Sequence, residues 1–417
     1  MDGLVTTARL PAPERVAELV EPRAERLIGR IVGRESGPTL VVIGGIHGNE
    51  PSGPLALERV LAALAGREDQ LRGELVALRG NLAALALGRR YLERDLNRLW
   101  SRQRVEALQA CHPSTIEVPE DREQAELFAE LEAAFGRARG RTFALDLHST
   151  SGGGPPFVVM CDTLPNRSFA KSLPAPKVLG LEEQLEGTLL SLLSDLGHVT
   201  LAFESGQHAA ASSVDHAEAA VWICLAAAGL LAGGELVPPR RVLATLDAAV
   251  STIPPFVEAR YRHAIKPADA FKMDPGFTSF QPVTRGQVLA HDCHGEVHCP
   301  ETGRILMPLY QPQGDDGFFL VRAFNPVWLK ISALLRRLGS DRIVHWLPGV
   351  SRHPQRLATY RVNRRIARWY ALEIFHLLGF RRSGEEGAYL LVARRPHDLE
   401  RDHQHTWPSF LRKRPKP

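Results

Sequence analysis

The sequence predicts an α/β protein: a mostly parallel sheet with helices on both faces, then a small C-terminal β-domain and an arginine-rich, mostly helical extension. Two observations carry this. Apolar, β-branched runs of strand length alternate with amphipathic helical stretches up to about residue 235. The composition then shifts at Pro238-Pro239 and Pro254-Pro255, after which short strands and glycine turns (Gly276, Gly286, Gly295, Gly303) replace the long helices. At 417 residues the chain exceeds one ordinary core, and the pattern divides it into 1–250, 255–325 and 326–417.

Taken in order, residues 27–32 and 39–44 read as strands joined by a turn around Arg34-Glu35-Ser36-Gly37-Pro38. The second strand breaks at Gly44-Gly45 and presents His47 and Glu50 just beyond its end. In open α/β sheets, chemistry collects at such carboxyl ends. Pro51-Ser52-Gly53-Pro54 suits a helix start, 55–64 has helical spacing, and 74–78 is a strand. Residues 81–119 have weak periodicity and read as a long functional loop with short helical pieces. A helix over 121–139 precedes a strand over 141–147, which ends in Asp146-Leu147-His148-Ser149-Thr150. The spacing then predicts a strand at 157–160, a helix at 182–196 and a strand at 198–203 ending in Glu204-Ser205-Gly206. A buried helix follows over 213–231, and a last strand falls at 388–393.

Composition excludes several classes of protein. Hydrophobic content of 44% and charged content of 24% describe a globular chain rather than a disordered one. The net charge of +4 is small, and arginine-rich helices are commonly solvated faces, so nucleic-acid binding is not expected. Five cysteines form no dense framework, and the first residues lack the apolar core of a signal peptide. Both point to a reducing, cytoplasmic setting. The most apolar stretch, 219–232, is shorter than the roughly 20 residues a membrane span needs, so no membrane partner is expected. Homo-oligomerisation stays open.

Three strand ends carry candidate chemistry: His47 with Glu50, His148, and Glu204. Two imidazoles and a carboxylate, with a fourth position left to water, form a catalytic zinc arrangement. The plainer reading makes the histidines hydrogen-bonded loop residues and Glu204 a cap on the following turn. Asp146, two residues before His148, either orients that imidazole or caps a helix. Beside a metal-activated water, Glu204 could take a proton and pass it to a leaving amine. In Arg89-Arg90-Tyr91-Leu92-Glu93-Arg94-Asp95-Leu96-Asn97-Arg98, an arginine fork could bind a carboxylate and an amide could add a hydrogen bond. His291-Asp292-Cys293-His294-Gly295-Glu296-Val297-His298-Cys299 is rich in metal-capable groups, but its spacing matches no structural zinc pattern.

The motifs Gly-Ile-His47-Gly-Asn-Glu50, Arg90-Tyr91 with Asp95-Leu96-Asn97-Arg98, Asp146-Leu147-His148-Ser149-Thr150 and Phe203-Glu204-Ser205-Gly206 agree in order and approximate spacing with one family. Over roughly residues 25–325 the chain resembles the succinylglutamate desuccinylase/aspartoacylase family, which belongs with the zinc carboxypeptidase-like hydrolases. The resemblance implies a carboxypeptidase-like α/β fold with a C-terminal β-domain. It implies one Zn2+ per chain on His47, Glu50 and His148, with Glu204 as general base and proton shuttle. Arg90 would help polarise the scissile carbonyl, and Asn97 and Arg98 would bind a substrate carboxylate. The expected activity is zinc-dependent hydrolysis of the amide bond of an N-acyl amino acid or similar small carboxylate-bearing substrate. The alternatives are a zinc carboxypeptidase acting on short peptides or cell-wall fragments, and a non-catalytic metal-binding regulatory protein.

Overall fold

The computed structural model describes residues 25–231, 244–246, 253–339, 344–356, 358–367 and 371–399. The first half alternates strands and helices. In chain order these are β1 (Leu27–Val32), β2 (Glu35–Gly44), α1 (Ser52–Leu64), β3 (Arg72–Arg79), α2 (Leu82–Ala86), α3 (Arg102–Ala110) and α4 (Pro119–Arg137). Then come β4 (Thr142–Thr150), β5 (Phe157–Val159), α5 (Leu164–Ala170), β6 (Lys177–Leu179), α6 (Leu189–Asp195), β7 (Val199–Gln207) and α7 (Ala211–Ala228). Strands β3, β2, β4 and β7 lie side by side and parallel.

Strict alternation along each strand builds two cores. Leu40 and Val42 of β2, Leu75 and Ala77 of β3, and Leu145 and Leu147 of β4 face the layer of α1 and α7. Val41 and Ile43, Val76 and Leu78, and Ala144 face the layer of α4 and α6. Successive side chains of a strand point to opposite faces, so a sheet covered on both sides needs continuous apolar runs.

The next strands are β8 (Phe256–Ala264), β9 (Lys272–Met273), β10 (Pro282–Val283), β11 (Val288–Asp292), β12 (Gly295–His298), β13 (Gly303–Leu306) and β14 (Asp316–Ala323). Of these, β8, β10, β13 and β14 extend the same sheet. The sheet has eleven strands in the order β1-β3-β2-β4-β7-β5-β6-β8-β14-β13-β10, while β12, β11 and β9 form a small antiparallel sheet of their own. The chain that composition marks as β-rich thus continues the main sheet past β6, and brings the 307–316 loop to the pocket lined by His47, Glu50 and His148.

Two expectations differ from the structure. Beyond 325, the described residues hold α8 (Pro326–Arg337) and α9 (Ala371–Leu377), but also β15 (Val350–Arg352), β16 (Thr359–Asn363), β17 (Phe380–Glu386) and β18 (Tyr389–Arg394) in a four-stranded antiparallel sheet. The helical expectation for 326–417 rested on arginine density. Arginine stems also coat the outer face of a sheet while Val362, Phe380, Leu390 and Val392 fill its core. The helix expected over 182–196 forms only as α6. Gly187 takes φ +69°, and the Thr188 side chain caps the shortened helix at Ser191 N. Among the described residues no helix is long and apolar enough to cross a membrane.

Candidate active site

Three neighbouring parallel strands end together. Gly44 of β2 lies opposite Leu147 of β4, and His148 of β4 opposite Glu204 of β7. The turn after β2 is forced tight: Gly45 takes φ +75°, and a Cβ on Gly48 would sit 2.0 Å from the Ala84 carbonyl carbon. Only glycine allows that approach. It folds His47 and Glu50 back over the sheet edge towards His148.

Among the described residues, His47, Glu50 and His148 form the one buried group whose donor atoms suit a metal, all within 4.8 Å of one another. His47 Nδ1 lies 2.8 Å from Glu50 Oε1 and His148 Nδ1 3.0 Å from Glu50 Oε2. Each imidazole is held from behind at its other nitrogen. Asp95 Oδ1 lies 3.1 Å from His47 Nε2, and Asp146 Oδ2 lies 2.9 Å from His148 Nε2. A carboxylate behind each ring fixes its orientation and raises the basicity of the inward nitrogen.

The charges are steep. Burial alone would push the Glu50 carboxyl up, but the His47 and His148 imidazoles beside it hold it well below the usual range. Burial would lower His148, and Asp146 and Glu50 instead raise it well above an ordinary imidazole. Glu204 is different: burial, helped by the nearby Glu50 and Asp146 charges, pushes its carboxyl up to about 8 despite His148 and Arg90. Its Oε2 is buried without a hydrogen-bond partner among the described residues.

The 89–98 segment supplies the opposite wall. Burial disfavours the Asp95 charge, but Arg90 and His47 hold its carboxyl well below normal. Arg90 Nη2 donates to Asp95 Oδ2 at 2.9 Å, and its Nη1 lies 3.6 Å from Glu50 Oε1. Asn97 Nδ2 is 3.4 Å from His148 Nε2, while its Oδ1 accepts from Leu189 N at 2.9 Å. Arg98 lines the same pocket and donates from Nη2 to Asp316 Oδ2 at 2.9 Å. This segment is not loose. Fully buried Glu120, in the first turn of α4, accepts from the backbone N–H groups of Leu92, Glu93 and Arg94 at 2.6–3.3 Å.

Comparison with known proteins follows this geometry. Residues 36–220 match the model of the succinylglutamate desuccinylase/aspartoacylase catalytic domain. Over those residues the chain is similar to that family's catalytic domain. Succinylglutamate desuccinylase of Pseudomonas syringae pv. tomato is 37% identical over 83 residues, 19% of this chain and 25% of that one. The enzyme of the same name from Ectopseudomonas mendocina is 31% identical over 120 residues, 27% of this chain and 36% of that one. The matched stretches thus span about a quarter to a third of these relatives' length. Two solved structures share the fold. The product-bound ectoine utilization protein EutE (DoeB) of Ruegeria pomeroyi has a TM-score of 0.51 at 20% identity, covering 70% of this chain and 87% of that one. A succinylglutamate desuccinylase/aspartoacylase from Rhodobacter sphaeroides has a TM-score of 0.52 at 18% identity, covering 72% and 88%.

All seven residues singled out from the family motifs line one pocket: His47, Glu50, Arg90, Asn97, Arg98, His148 and Glu204. Sequence reasoning missed Asp95 as the partner of His47, although its place between Arg90 and Asn97 could have suggested it. It also missed Asp316, His208 and Gln311. His208 Nδ1 lies 2.8 Å from Ser149 Oγ, and its Nε2 lies 3.0 Å from Gln311 Oε1, which also accepts from Asn49 Nδ2 at 2.6 Å. Asp316 and Gln311 reach the pocket from more than 200 residues downstream of Arg98, and no local pattern announces that. The histidines around residue 294 are exposed in a hairpin and pair with acids: His291 with Asp274 and His298 with Glu296.

Proposed function

We propose that this protein is a zinc-dependent amidohydrolase that cleaves the amide bond of an N-acyl amino acid or a similar small substrate. The observation carrying this reading is the buried His47–Glu50–His148 group with the unpartnered Oε2 of Glu204 opposite His148 across the β4–β7 pair. The donor set fits zinc: two inward imidazole nitrogens and a carboxylate, each ring held from behind by an aspartate. A zinc ion held there would polarise a carbonyl and make water acidic enough to act near neutral pH. Its charge would also draw Glu204 towards the carboxylate form that a base requires.

The chain's own residues supply the remaining steps. Glu204 takes a proton from the attacking water and returns it to the departing amine nitrogen. Arg90, which reaches towards Glu50 while Asp95 fixes its other side, offers a guanidinium to the oxygen that gains charge as the carbonyl becomes tetrahedral. Asn97 and Arg98 orient the substrate from the wall beside His148. Arg98 and Asp316 make a salt bridge there, so a substrate carboxylate at Arg98 shares or displaces that contact.

One observation favours a second reading, hydrolysis of short peptides. The catalytic pocket holds only about 120 Å³, and it shares Arg98, Glu182, Leu185 and Asp315 with a cavity of about 1480 Å³ bordered by the unit after residue 325. Ligand pockets usually measure about 300–1,000 Å³, so the larger space could take the remainder of a longer substrate. A panel of N-acyl amino acids against acylated dipeptides, run with zinc-loaded protein, decides between the readings. Turnover of neither class by zinc-loaded protein would remove both.

A further inference from the structure

Six carboxyls line the catalytic pocket (Glu50, Asp146, Glu182, Glu204, Asp315 and Asp316), against two guanidiniums, Arg90 and Arg98. Both guanidiniums are already paired inside the protein. Arg90 is held by Asp95 and Arg98 by Asp316. Asp316 is doubly held, because its second oxygen accepts from Arg262 Nε at 2.5 Å, and Arg262 also donates to the Gln184 carbonyl at 2.7 Å. The anchoring is structural as well as ionic. Asp316 is the first residue of β14, opposite Ala264 of β8, and Arg262 lies two residues earlier on β8. With its side chain 15% exposed, Asp316 presents a charge that solvent screens poorly.

We propose that Asp316 is a specificity-determining residue, a fixed carboxylate that occupies Arg98 and restricts the pocket to substrates carrying a single carboxylate. The proposal rests on the hydrolase reading above and deepens it by naming the substrate class. A guanidinium attracts a second carboxylate only to the extent that its charge is uncompensated, and a fixed carboxylate beside it repels the newcomer. Arg98 gives Nη2 to Asp316 and Nη1 to the Asn97 carbonyl at 3.0 Å, so both terminal nitrogens that would grip a substrate carboxylate in bidentate fashion are already engaged, while Arg262 holds the second Asp316 oxygen. Asp315, exposed at the pocket rim next in sequence, adds a further negative charge on the same wall. A substrate with one carboxylate and a neutral remainder fits this wall. A dicarboxylate meets it with like charge.

The test compares kcat/KM for N-acetylalanine, N-acetylaspartate and N-succinylalanine, which place a second carboxylate on neither side, the amine side and the acyl side of the scissile bond. The wild-type protein discriminates against at least one dicarboxylate by tenfold or more. D316N, which uncovers Arg98 and Arg262, reduces that discrimination at least tenfold, and D316E, which keeps the charge, does not. Discrimination below tenfold against both dicarboxylates by the wild type, or a folded D316N with a smaller change, overturns the proposal. Calorimetric binding of glutarate and butyrate to the zinc-loaded protein stands apart from catalysis, and applies equally if D316N fails to fold or no substrate is hydrolysed. Wild type binds glutarate no more tightly than butyrate if the proposal holds, and more tightly if it is wrong. Loss of hydrolysis with the binding pattern intact would remove the hydrolase reading and leave the charge selection standing.

Discussion

Glu204 and the two aspartates behind the histidines carry the sharpest residue-scale consequences. Glu204→Gln keeps the shape and removes the base, so kcat falls about 10²–10⁴-fold while zinc content by metal analysis stays at the wild-type level. Asp146→Asn leaves all three proposed metal donors in place but loosens the ring of His148. Zinc affinity then falls about 10–100-fold in a chelator competition titration. His47, Glu50, His148 and Glu204 were legible in the sequence because each lies at or just beyond a strand end, where glycine, serine or proline marks the turn of the backbone. Asp95 was half legible, since it lies within a recognisable motif but its partner is 48 residues away. Asp316 and Gln311 were not legible at all. Their partners Arg98 and Asn49 are 218 and 262 residues distant, and only the completed sheet brings them together.

Elements explain why a segment of weak periodicity can hold a precise site. Residues 81–119 have little repeating apolar pattern, and buried carboxylates order them together with the scattered packing of Leu96, Trp100 and Val105. Glu120 caps three backbone N–H groups of the loop, and Glu123, also in α4, accepts from Leu82 N and Ala83 N at 3.0 and 3.1 Å. Glu120→Ala leaves those N–H groups buried without a partner, at about 1–3 kcal/mol of stability in denaturant unfolding, and raises KM by displacing Arg90 and Arg98. The parallel strands β2, β3, β4 and β7 were read correctly because their apolar runs are long. β18, with its Leu390-Leu391-Val392 run, was read as the strand at 388–393, whereas β6, three residues preceded by prolines, and β15 to β17, short or rich in charge, carry too little periodicity to stand out.

Across the whole molecule, the unit after residue 325 is tied to the catalytic body by buried charge. Arg336 bridges Asp162 and Asp398 at 2.8 Å each, and Arg395 pairs with Glu182 and Glu183, the latter also 3.0 Å from His376. Glu182 lines the catalytic pocket as well, so the C-terminal unit braces one of its walls. Arg395→Met strands two buried carboxylates and lowers stability by about 3–5 kcal/mol in denaturant unfolding. Acid acts on the same contacts. Burial would raise Glu183, but His376 and Arg395 hold its carboxyl at about 2, below the ordinary value of an unfolded chain. Its stabilising contribution, of order 3 kcal/mol, is therefore complete above about pH 5 and is lost as pH falls towards 2. Thermal midpoints of wild type decline steeply over that window, and those of Glu183→Gln decline less.

Reconstitution of stripped protein with zinc tests the central claim most directly. Chelator-treated protein should hydrolyse no N-acyl amino acid, and activity should return in proportion to added zinc and level off at one equivalent per chain. Full turnover by the metal-free protein, or no return of activity once one equivalent has bound, would contradict the account.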